Sequence, residues 1–367
     1  MSERNLLMIP GPIEFEPAVL RALGEKTRSH LDPVFMKAFA RAIKNLRTVF
    51  AAPSAQPFII AGSGTLGMEM SVANLIQPGD KALVVNTGYF SDRIAAMLAR
   101  HGAEVTQVKA EPGDAPKLEE VEAALANGGF KAMTVTHVDT STAVLAPVQA
   151  YAAAARKHDV LVIVDGVCSV GGEALEMEAW GVDVAFTASQ KALGCPPGLA
   201  VLLAGPRAMA AWRARSKPVA TMYLDFAEWL PIHEAYEAEK PAYYATPAVN
   251  LIMALDVSLQ QLVAETMPAR VARHQAVAKT MRSAWKRLGL ELLAKSDALA
   301  ANTLSAIYYP DGVDAALVKD IGAEGVTVAG DLHPALKTKY FRVGHMGAVS
   351  KNDVSATIGA IERALKR

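Results

Sequence analysis

The sequence predicts an α/β protein whose larger part is a mostly parallel sheet of seven strands flanked by helices. Between residues 58 and 205, short runs rich in Val, Ile and Leu alternate with stretches of helical periodicity. This alternation is typical of parallel sheets whose strands are joined by crossover helices. The chain has 367 residues, which is enough for one large domain and a smaller one.

Seven apolar runs are predicted to be the strands of this sheet: 57–61, 81–86, 103–109, 131–137, 160–166, 182–188 and 199–205. The stretches 91–102 and 118–129 are predicted helices, and the second ends in two glycines, where a left-handed cap is expected. The segment 217–248 is rich in proline and aromatic residues and is predicted to be irregular. Long irregular segments in compact enzymes are usually functional or packed on a partner.

From residue 250 onward, two long helical patterns precede short strands at 303–309 and 339–347, and a final helix begins at Lys351. This order predicts a smaller α+β domain at the C-terminal end. The predicted division is therefore an N-terminal segment (1–15), a large domain (16–248) and a small domain (249–367).

Composition excludes several classes of function. The 37 basic and 37 acidic residues give a formal net charge of zero, so the chain lacks the positive field that nucleic acid or an anionic membrane would require. Residues 1–15 do not show the basic region followed by an apolar region that is typical of a secretion signal, and no apolar run in the sequence reaches the roughly 18 residues of a membrane span. Cys168 and Cys195 lie in apolar stretches, and the histidines lack metal-ligand spacing. We expect a cytoplasmic protein without disulfides or a metal site.

A glycine motif, Gly62 to Gly67 (GSGTLG), follows one predicted strand and opens a helix. Backbone N–H groups at such a helix start can hold a phosphate. The motif also fits a dinucleotide-binding fold, which needs an acidic residue at the end of the next strand, but that strand ends at Asn86. A glycine-rich turn that only permits close packing is a third explanation.

Asp165 and Lys191 each follow an apolar strand of the predicted sheet. At the carboxyl end of a parallel strand, a side chain points into the crevice where α/β proteins bind ligands. A turn aspartate and a solvated lysine are the ordinary roles of such residues. The stretch 185–198 around Lys191 is, however, composed of small and almost uncharged residues, as a buried site requires.

Pyridoxal phosphate would account for these features together. Its aldehyde needs a lysine amine, its ring nitrogen needs a carboxylate, and its phosphate needs a group of N–H donors. The glycine motif, Asp165 and Lys191 supply the three parts in sequence order. We therefore predict pyridoxal phosphate as the cofactor.

The motifs GSGTLGMEM, NTGYFSDR, THVDTSTAVLAP, VDGVCSVGG, TASQKALGCPPG, YYATPAV and FRVGHMG together resemble those of the class V aminotransferases, most closely their alanine:glyoxylate aminotransferases. The resemblance runs from PGP at residues 10–12 to RVGHMG at 342–347, nearly the whole chain. It implies the fold-type I architecture of pyridoxal-phosphate transferases.

The resemblance implies a role for each matching residue. Lys191 binds the cofactor covalently and relays the substrate proton, while Asp165 pairs with the ring nitrogen. Val167 packs on one ring face and Phe90 on the other, where many relatives have tryptophan, so stacking should be somewhat weaker. Thr140 contacts the phenolic oxygen of the ring.

The remaining implied residues bind the phosphate and the substrate. The phosphate site contains Ser63, Gly64, Thr65 and Gln190, joined by Tyr243 and Thr246 of the neighbouring subunit. Arg342 binds the substrate carboxylate through two parallel hydrogen bonds. Gly11 lines a pocket for small side chains, although a glycine there would also suit a tight turn. Residues 1–15 would then line the active site, and 217–248 would contact the second subunit of a homodimer.

The reaction implied is transfer of an amino group from alanine or serine to glyoxylate. Serine:glyoxylate, serine:pyruvate or another small-acceptor aminotransferase remains open on the same scaffold. A cysteine desulfurase needs a cysteine well beyond the lysine, and none follows Cys195. A nicotinamide-dependent oxidoreductase or a cofactor-free binding protein would explain the glycine motif, but not Lys191, Asp165 and Arg342 together.

Overall fold

A computed structural model of the chain describes residues 4–366. Its strands are β1 (Leu6–Leu7), β2 (Gln56–Ala61), β3 (Lys81–Asn86), β4 (Glu104–Lys109), β5 (Ala132–Thr136), β6 (Val138–Asp139), β7 (Val144–Leu145), β8 (Leu161–Asp165), β9 (Val184–Ala188), β10 (Leu199–Ala204), β11 (Leu304–Tyr308), β12 (Val326–Thr327) and β13 (Tyr340–Gly344). Its helices are α1 (Pro17–Leu23), α2 (Pro33–Val49), α3 (Gly64–Leu75), α4 (Tyr89–Arg100), α5 (Leu118–Gly128), α6 (Val148–Lys157), α7 (Pro206–Arg213), α8 (Phe226–Glu237), α9 (Val249–Glu265), α10 (Met267–Arg287), α11 (Leu317–Ala323) and α12 (Lys351–Ala364).

Seven strands form one sheet in the order β2, β10, β9, β8, β5, β3, β4. Strand β10 is antiparallel to both of its neighbours, and the other pairs are parallel. These seven strands are the seven that the sequence predicts, so the predicted fold class is confirmed.

Helices cover both faces of the sheet. Successive residues of a strand therefore pack into two different hydrophobic clusters, one on each face. In β8, Val162 and Val164 pack into one cluster, while Leu161 and Ile163 pack into the other. Such alternation is what a strand buried on both sides requires. Helices α2, α6 and α9 contribute to the first cluster, and α3, α4 and α8 to the second. The ends of the strands lie outside these two helical layers and can therefore form a site.

The C-terminal part pairs β11 with β13 in antiparallel register and packs α10, α11 and α12 around them. Both predicted strands and the final helix are present. A short parallel pairing was not predicted: β1 joins β12, which ties residues 6–7 to this part of the chain. Helix α9 packs on α1 and α2 within the first cluster. The three-part division stays a prediction, and residues 1–3 and 367 of its outer parts lie outside the described residues.

The segment 217–248 is not irregular throughout, which corrects the prediction. It contains helix α8, in which Phe226, Trp229, His233 and Tyr236 are buried. Their spacing is that of one helix face. Pro231 within the helix obscured this periodicity, although the Asp225 side chain caps the helix by accepting from the Ala227 N–H.

Among residues 4–366, no helix has both the length and the apolar character that a membrane crossing would require.

Candidate active site

The carboxyl ends of β8 and β9 bring Asp165 and Lys191 to one cavity. Asp165 is the last residue of β8, and Lys191 follows closely after β9. Because these strands are adjacent and parallel, their ends lie at the same edge of the sheet. The cavity wall contains nearly all the residues predicted to bind a cofactor: Ser63, Gly64, Thr65, Phe90, Thr140, Asp165, Val167, Gln190 and Lys191.

The Asp165 carboxylate is buried with few partners. Its Oδ1 accepts a hydrogen bond of 2.9 Å from the Val167 N–H, and no ion pair to it is found among the described residues. The pKa of Asp165 is raised to about 7, chiefly by burial and to a smaller extent by the Asp139 carboxylate, while the hydrogen bond from Val167 and the charges of Lys191 and Arg93 lower it. A cationic group in the cavity would lower this pKa and keep the carboxylate ionised.

Lys191 lies under the N-terminal segment. Its Nζ donates a hydrogen bond to the backbone oxygen of Pro10. A Cβ added at Gly11 would lie 2.6 Å from Lys191 Nζ, at the end of a flexible side chain, and the φ of Gly11 is +118°, a conformation that favours glycine. Gly11 is therefore placed against the amine that the sequence identifies as reactive.

The glycine motif forms the start of α3. Ser63 is the residue before the helix, and its side chain does not cap it, which leaves the first backbone N–H groups without a side-chain acceptor. A Cβ at Gly64 would come within 2.8 Å of Val167 Cγ2. Glycine thus lets the helix start approach the loop after Asp165, which places Ser63, Gly64 and Thr65 at the cavity wall, where a helix start can bind an anion.

Three other predicted residues complete the wall. Phe90 is in the first turn of α4, and its N–H donates to Asp139 Oδ2 at 3.1 Å. Thr140 follows Asp139 directly and is buried. Gln190 has a buried side-chain oxygen with no hydrogen-bond partner, so a donor placed in the cavity would satisfy it.

Arg342, in β13, reaches the cavity wall from the C-terminal part. Its Nε donates to the Gly330 oxygen at 2.8 Å, and its Nη1 lies 3.4 Å from Thr140 Oγ1. No ion pair to Arg342 is found among residues 4–366. Burial lowers the pKa of this guanidinium, and nearby acidic groups, among them Asp331 and Asp139, offset only part of that effect. An anion is the complementary ligand.

Tyr243 and Thr246 are not part of this cavity. Tyr243 is 64% exposed, and its hydroxyl lies 3.4 Å from Thr246 Oγ1. The two hydroxyls face each other near the surface, so within one chain they are not brought to the glycine motif.

Four wall residues were not predicted, namely Met68, Arg93, Val138 and Cys168. Each is a close neighbour of a predicted residue: Arg93 is one helical turn after Phe90, and Cys168 follows Val167. Helical spacing from Phe90 would have pointed to Arg93. Asp139 was also missed; it holds the start of α4 by accepting from the N–H groups of Phe90 and Ser91.

The dinucleotide-binding alternative finds no support in this geometry. Asn86 ends β3, and its side chain donates to Asp92 and Gln107 and accepts from the Gly88 N–H. All of its polar atoms are thus used within the protein, and no carboxylate stands at the position that would bind a ribose.

Comparison with known proteins agrees with the motifs. The model of the aminotransferase class-V family matches residues 19–344. Alanine–glyoxylate aminotransferase 1 of Saccharomyces cerevisiae is 40% identical and covers 95% of this chain and 93% of the relative. L-aspartate–glyoxylate aminotransferase of Paracoccus denitrificans is 34% identical, with coverage of 95% and 88%. The crystal structure of an alanine–glyoxylate aminotransferase from Nostoc sp. matches with a TM-score of 0.93 and 32% identity, covering 100% of this chain and 96% of the other.

Proposed function

This chain belongs to the aminotransferase class-V family and is a transaminase, and we propose that it uses pyridoxal phosphate to move an amino group from alanine or serine to glyoxylate. Glycine and a 2-oxo acid would be the products, formed in two half-reactions. The three proteins compared above share glyoxylate in their names, whereas two of them name alanine and one names aspartate as the amino donor. The acceptor therefore has broader support than the donor.

The observation that supports the cofactor best is the set of unsatisfied groups in one cavity. Among the described residues, Asp165 is a buried carboxylate with no ion pair, Gln190 has a buried side-chain oxygen with no hydrogen-bond partner, and the start of α3 has no side-chain cap. A cationic ring nitrogen and an anionic phosphate would satisfy the first and the last of these. When bound, pyridoxal phosphate supplies an electron sink for the charge left on the substrate Cα after its proton is removed.

The chain's own residues would perform the remaining steps. Arg342 would bind the substrate carboxylate and so fix the Cα beside Lys191, whose amine would take the Cα proton and return it. The buried Asp165 carboxylate would stay ionised against a cationic ring nitrogen, and thereby keep the sink effective. Val167 and Phe90 would hold the ring between them, and Thr140 would donate to its phenolic oxygen.

The small-substrate proposal depends on the position of Gly11. A side chain at this position would contact Lys191. With glycine there, residue 11 presents only backbone atoms to the amine. A methyl or hydroxymethyl side chain requires no more than this, which is consistent with alanine or serine as donor and with glyoxylate as acceptor.

We also propose that the active form is a homodimer with shared active sites. Tyr243 and Thr246 lie outside their own cavity. Among the described residues, the large exposed apolar side chains fall in two stretches: Met222, Tyr223 and Tyr243 in segment 217–248, and Leu20, Leu31 and Val34 in residues 20–34. Exposed apolar groups grouped in this way favour a partner surface. A second copy would cover them and add two hydroxyls to the phosphate site.

Subunit exchange tests this arrangement. A Lys191→Ala protomer mixed with a Tyr243→Phe, Thr246→Val protomer should form heterodimers with one intact site, so activity should rise from near zero. The double variant must first be shown to bind cofactor weakly. If the mixture stays inactive while exchange is demonstrated, both hydroxyls act within their own chain or not at all.

Half-reaction spectra test the function itself. The protein with bound pyridoxal phosphate should convert to the pyridoxamine form on addition of alanine or serine alone, and glyoxylate should reverse the change. Fast conversion by aspartate instead would contradict the proposed donor but not the acceptor. No conversion by any amino acid, with the cofactor bound, would contradict the proposed chemistry.

A further inference from the structure

Arg93 is a cationic residue of the cavity wall for which the proposed reaction gives no role. It lies on α4, and its guanidinium carbon is 4.8 Å from the centre of the Phe90 ring and 5.0 Å from that of Tyr89. Its Nη2 donates to the Tyr89 hydroxyl at 3.0 Å, and its Nη1 donates to Thr65 Oγ1 at 3.3 Å. These contacts fix the guanidinium between the start of α4 and the start of α3.

The charge of Arg93 is not balanced by a direct ion pair. None of the ion pairs among the described residues includes Arg93. The hydroxyl of Thr65 and the two aromatic rings are neutral partners. An arginine held in place by neutral groups at a cavity wall is arranged to receive an anion.

The predicted phosphate site, in contrast, contains no charged side chain. Ser63, Gly64, Thr65 and Gln190 are all neutral, and so are the hydroxyls of Tyr243 and Thr246 that a partner would add. A phosphate monoester carries about −1.5 to −2 charges at pH 7. The start of a helix supplies the equivalent of only about half a positive charge. The site therefore lacks a full cation.

We propose that Arg93 is that cation: it binds the phosphate of the cofactor beside Thr65. This inference rests on the proposed function, because it assumes that the phosphate lies at the start of α3. Arg93 would then join two parts of the site, since the same side chain stacks on Phe90, which is proposed to cover the ring.

A different role is possible on the same contacts and must be separated from this one. By stacking on Phe90, Arg93 could serve only to orient the aromatic ring over the cofactor. Loss of Arg93 would then weaken binding of any pyridoxal ring, with or without phosphate. A phosphate-binding role affects only the phosphorylated ligand.

The experiment compares equilibrium binding of pyridoxal 5′-phosphate and of pyridoxal to the full-length protein freed of cofactor, measured by absorbance. Arg93→Gln removes the charge, and Arg93→Lys retains it. Arg100→Gln is the matched control, because Arg100 is an exposed residue of the same helix. Circular dichroism checks that each variant is folded.

We expect Arg93→Gln to weaken binding of pyridoxal phosphate by roughly tenfold to a hundredfold, the range for a lost charge-assisted hydrogen bond. Binding of pyridoxal should change less than twofold, Arg93→Lys should recover part of the loss, and Arg100→Gln should match the wild type.

If Arg93→Gln weakens the binding of pyridoxal phosphate and of pyridoxal equally, the inference is overturned in favour of ring orientation. If it weakens the binding of neither, the inference is overturned outright. If the wild type itself binds pyridoxal phosphate no better than pyridoxal, the phosphate site is wrong. If it binds neither ligand, the proposed cofactor fails as well. The wild-type titration thus separates failure of the proposed function from failure of the role of Arg93.

Discussion

Two buried carboxylates in this molecule resemble each other in pKa and differ in surroundings. Burial raises the pKa of both Asp165 and Glu173 to about 7. Glu173 accepts hydrogen bonds from both the backbone N–H and the side-chain amide of Asn302, so both of its oxygens are satisfied. Asp165 accepts from the Val167 N–H and faces the cavity. A raised pKa alone therefore does not distinguish a structural carboxylate from one that awaits a ligand.

Two arginines show the same difference. Arg270 is buried and donates to the Gly171 and Ala192 oxygens and to Glu265, so its guanidinium is used on every side. Arg342 donates to the Gly330 oxygen at 2.8 Å, and its other hydrogen bonds, from Nη1 to the two oxygens of Thr140, are longer, at 3.4 Å. We call Glu173, Arg270 and Asn302 the junction cluster, because they join the loops after β8 and β9 to the C-terminal part. The junction cluster is complete within the protein, whereas the active-site groups are not.

The largest expected effect is at Lys191. Lys191→Ala should abolish transamination, because the same amine is proposed to bind the cofactor and to move the proton, and the protein should remain folded by circular dichroism. Borohydride reduction of the wild type followed by peptide mapping should place the label on Lys191. A label on another lysine would refute the assignment.

Asp165→Asn and Glu173→Gln test the two carboxylates directly. The first variant should keep cofactor but slow the half-reaction with alanine by orders of magnitude, because a neutral amide cannot keep the ring nitrogen cationic. The second should leave that rate within a few fold, since Glu173 has no contact with the cavity. Stopped-flow absorbance measures both rates. Similar losses of half-reaction rate in both variants would show that the different surroundings of Asp165 and Glu173 do not matter for catalysis.

Arg342→Lys and Arg270→Lys extend the comparison to the arginines. Replacing Arg342 should lower kcat/KM for both alanine and glyoxylate by roughly tenfold to a hundredfold, because lysine cannot form two parallel hydrogen bonds to a carboxylate. Replacing Arg270 should lower the midpoint of thermal unfolding and leave the KM values nearly unchanged. An unchanged KM in Arg342→Lys would remove this residue from the substrate site.

The smallest effect concerns stability as a function of pH. A carboxyl group whose pKa is higher in the folded than in the unfolded state favours folding at low pH, and this contribution is lost as the pH rises through the folded pKa. For Glu173, with a rise from 4.5 to about 7, the loss is about 3 kcal/mol. Wild type should therefore lose more stability than Glu173→Gln between about pH 4.5 and 7, as urea unfolding would show.

The same measurement separates the two carboxylates when cofactor is added. In cofactor-free protein, Asp165→Asn should remove a similar pH dependence. With cofactor bound, the cationic ring nitrogen should lower the pKa of Asp165, so its contribution should disappear, whereas that of Glu173 should persist. Persistence of both contributions would mean that Asp165 does not meet the ring.

The sheet and most of the cavity wall could be predicted from the sequence, because both depend on local patterns. Six of the seven strands are apolar runs, whereas β4 at the sheet edge mixes valine with polar residues, and Asp165, Lys191 and the glycine motif directly follow apolar runs. Arg93 was missed since its significance depends on the distance to Thr65, which belongs to a different helix. The helix α8 was missed because Pro231 argues against a helix locally, whereas packing of its aromatic face favours one.

The pairing of β1 with β12 could not have been predicted, because each strand has two residues and no pattern of its own. The junction cluster was also missed. A buried Glu173 bonded to Asn302 joins residues distant in the chain, and neither residue stands in a recognisable motif. Pairings between short or polar elements that are distant in the chain therefore cannot be predicted from any single stretch of sequence.

The β1 pairing has a consequence for how the enzyme is made. Leu6 and Leu7 are synthesised long before their partners Val326 and Thr327. Pro10 and Gly11, which lie over Lys191, cannot be anchored through β1 until then. Between the synthesis of Lys191 and that of β12, the growing chain therefore carries this lysine without the cover that β1 anchors, and the substrate pocket acquires its final wall only after β12 has been made.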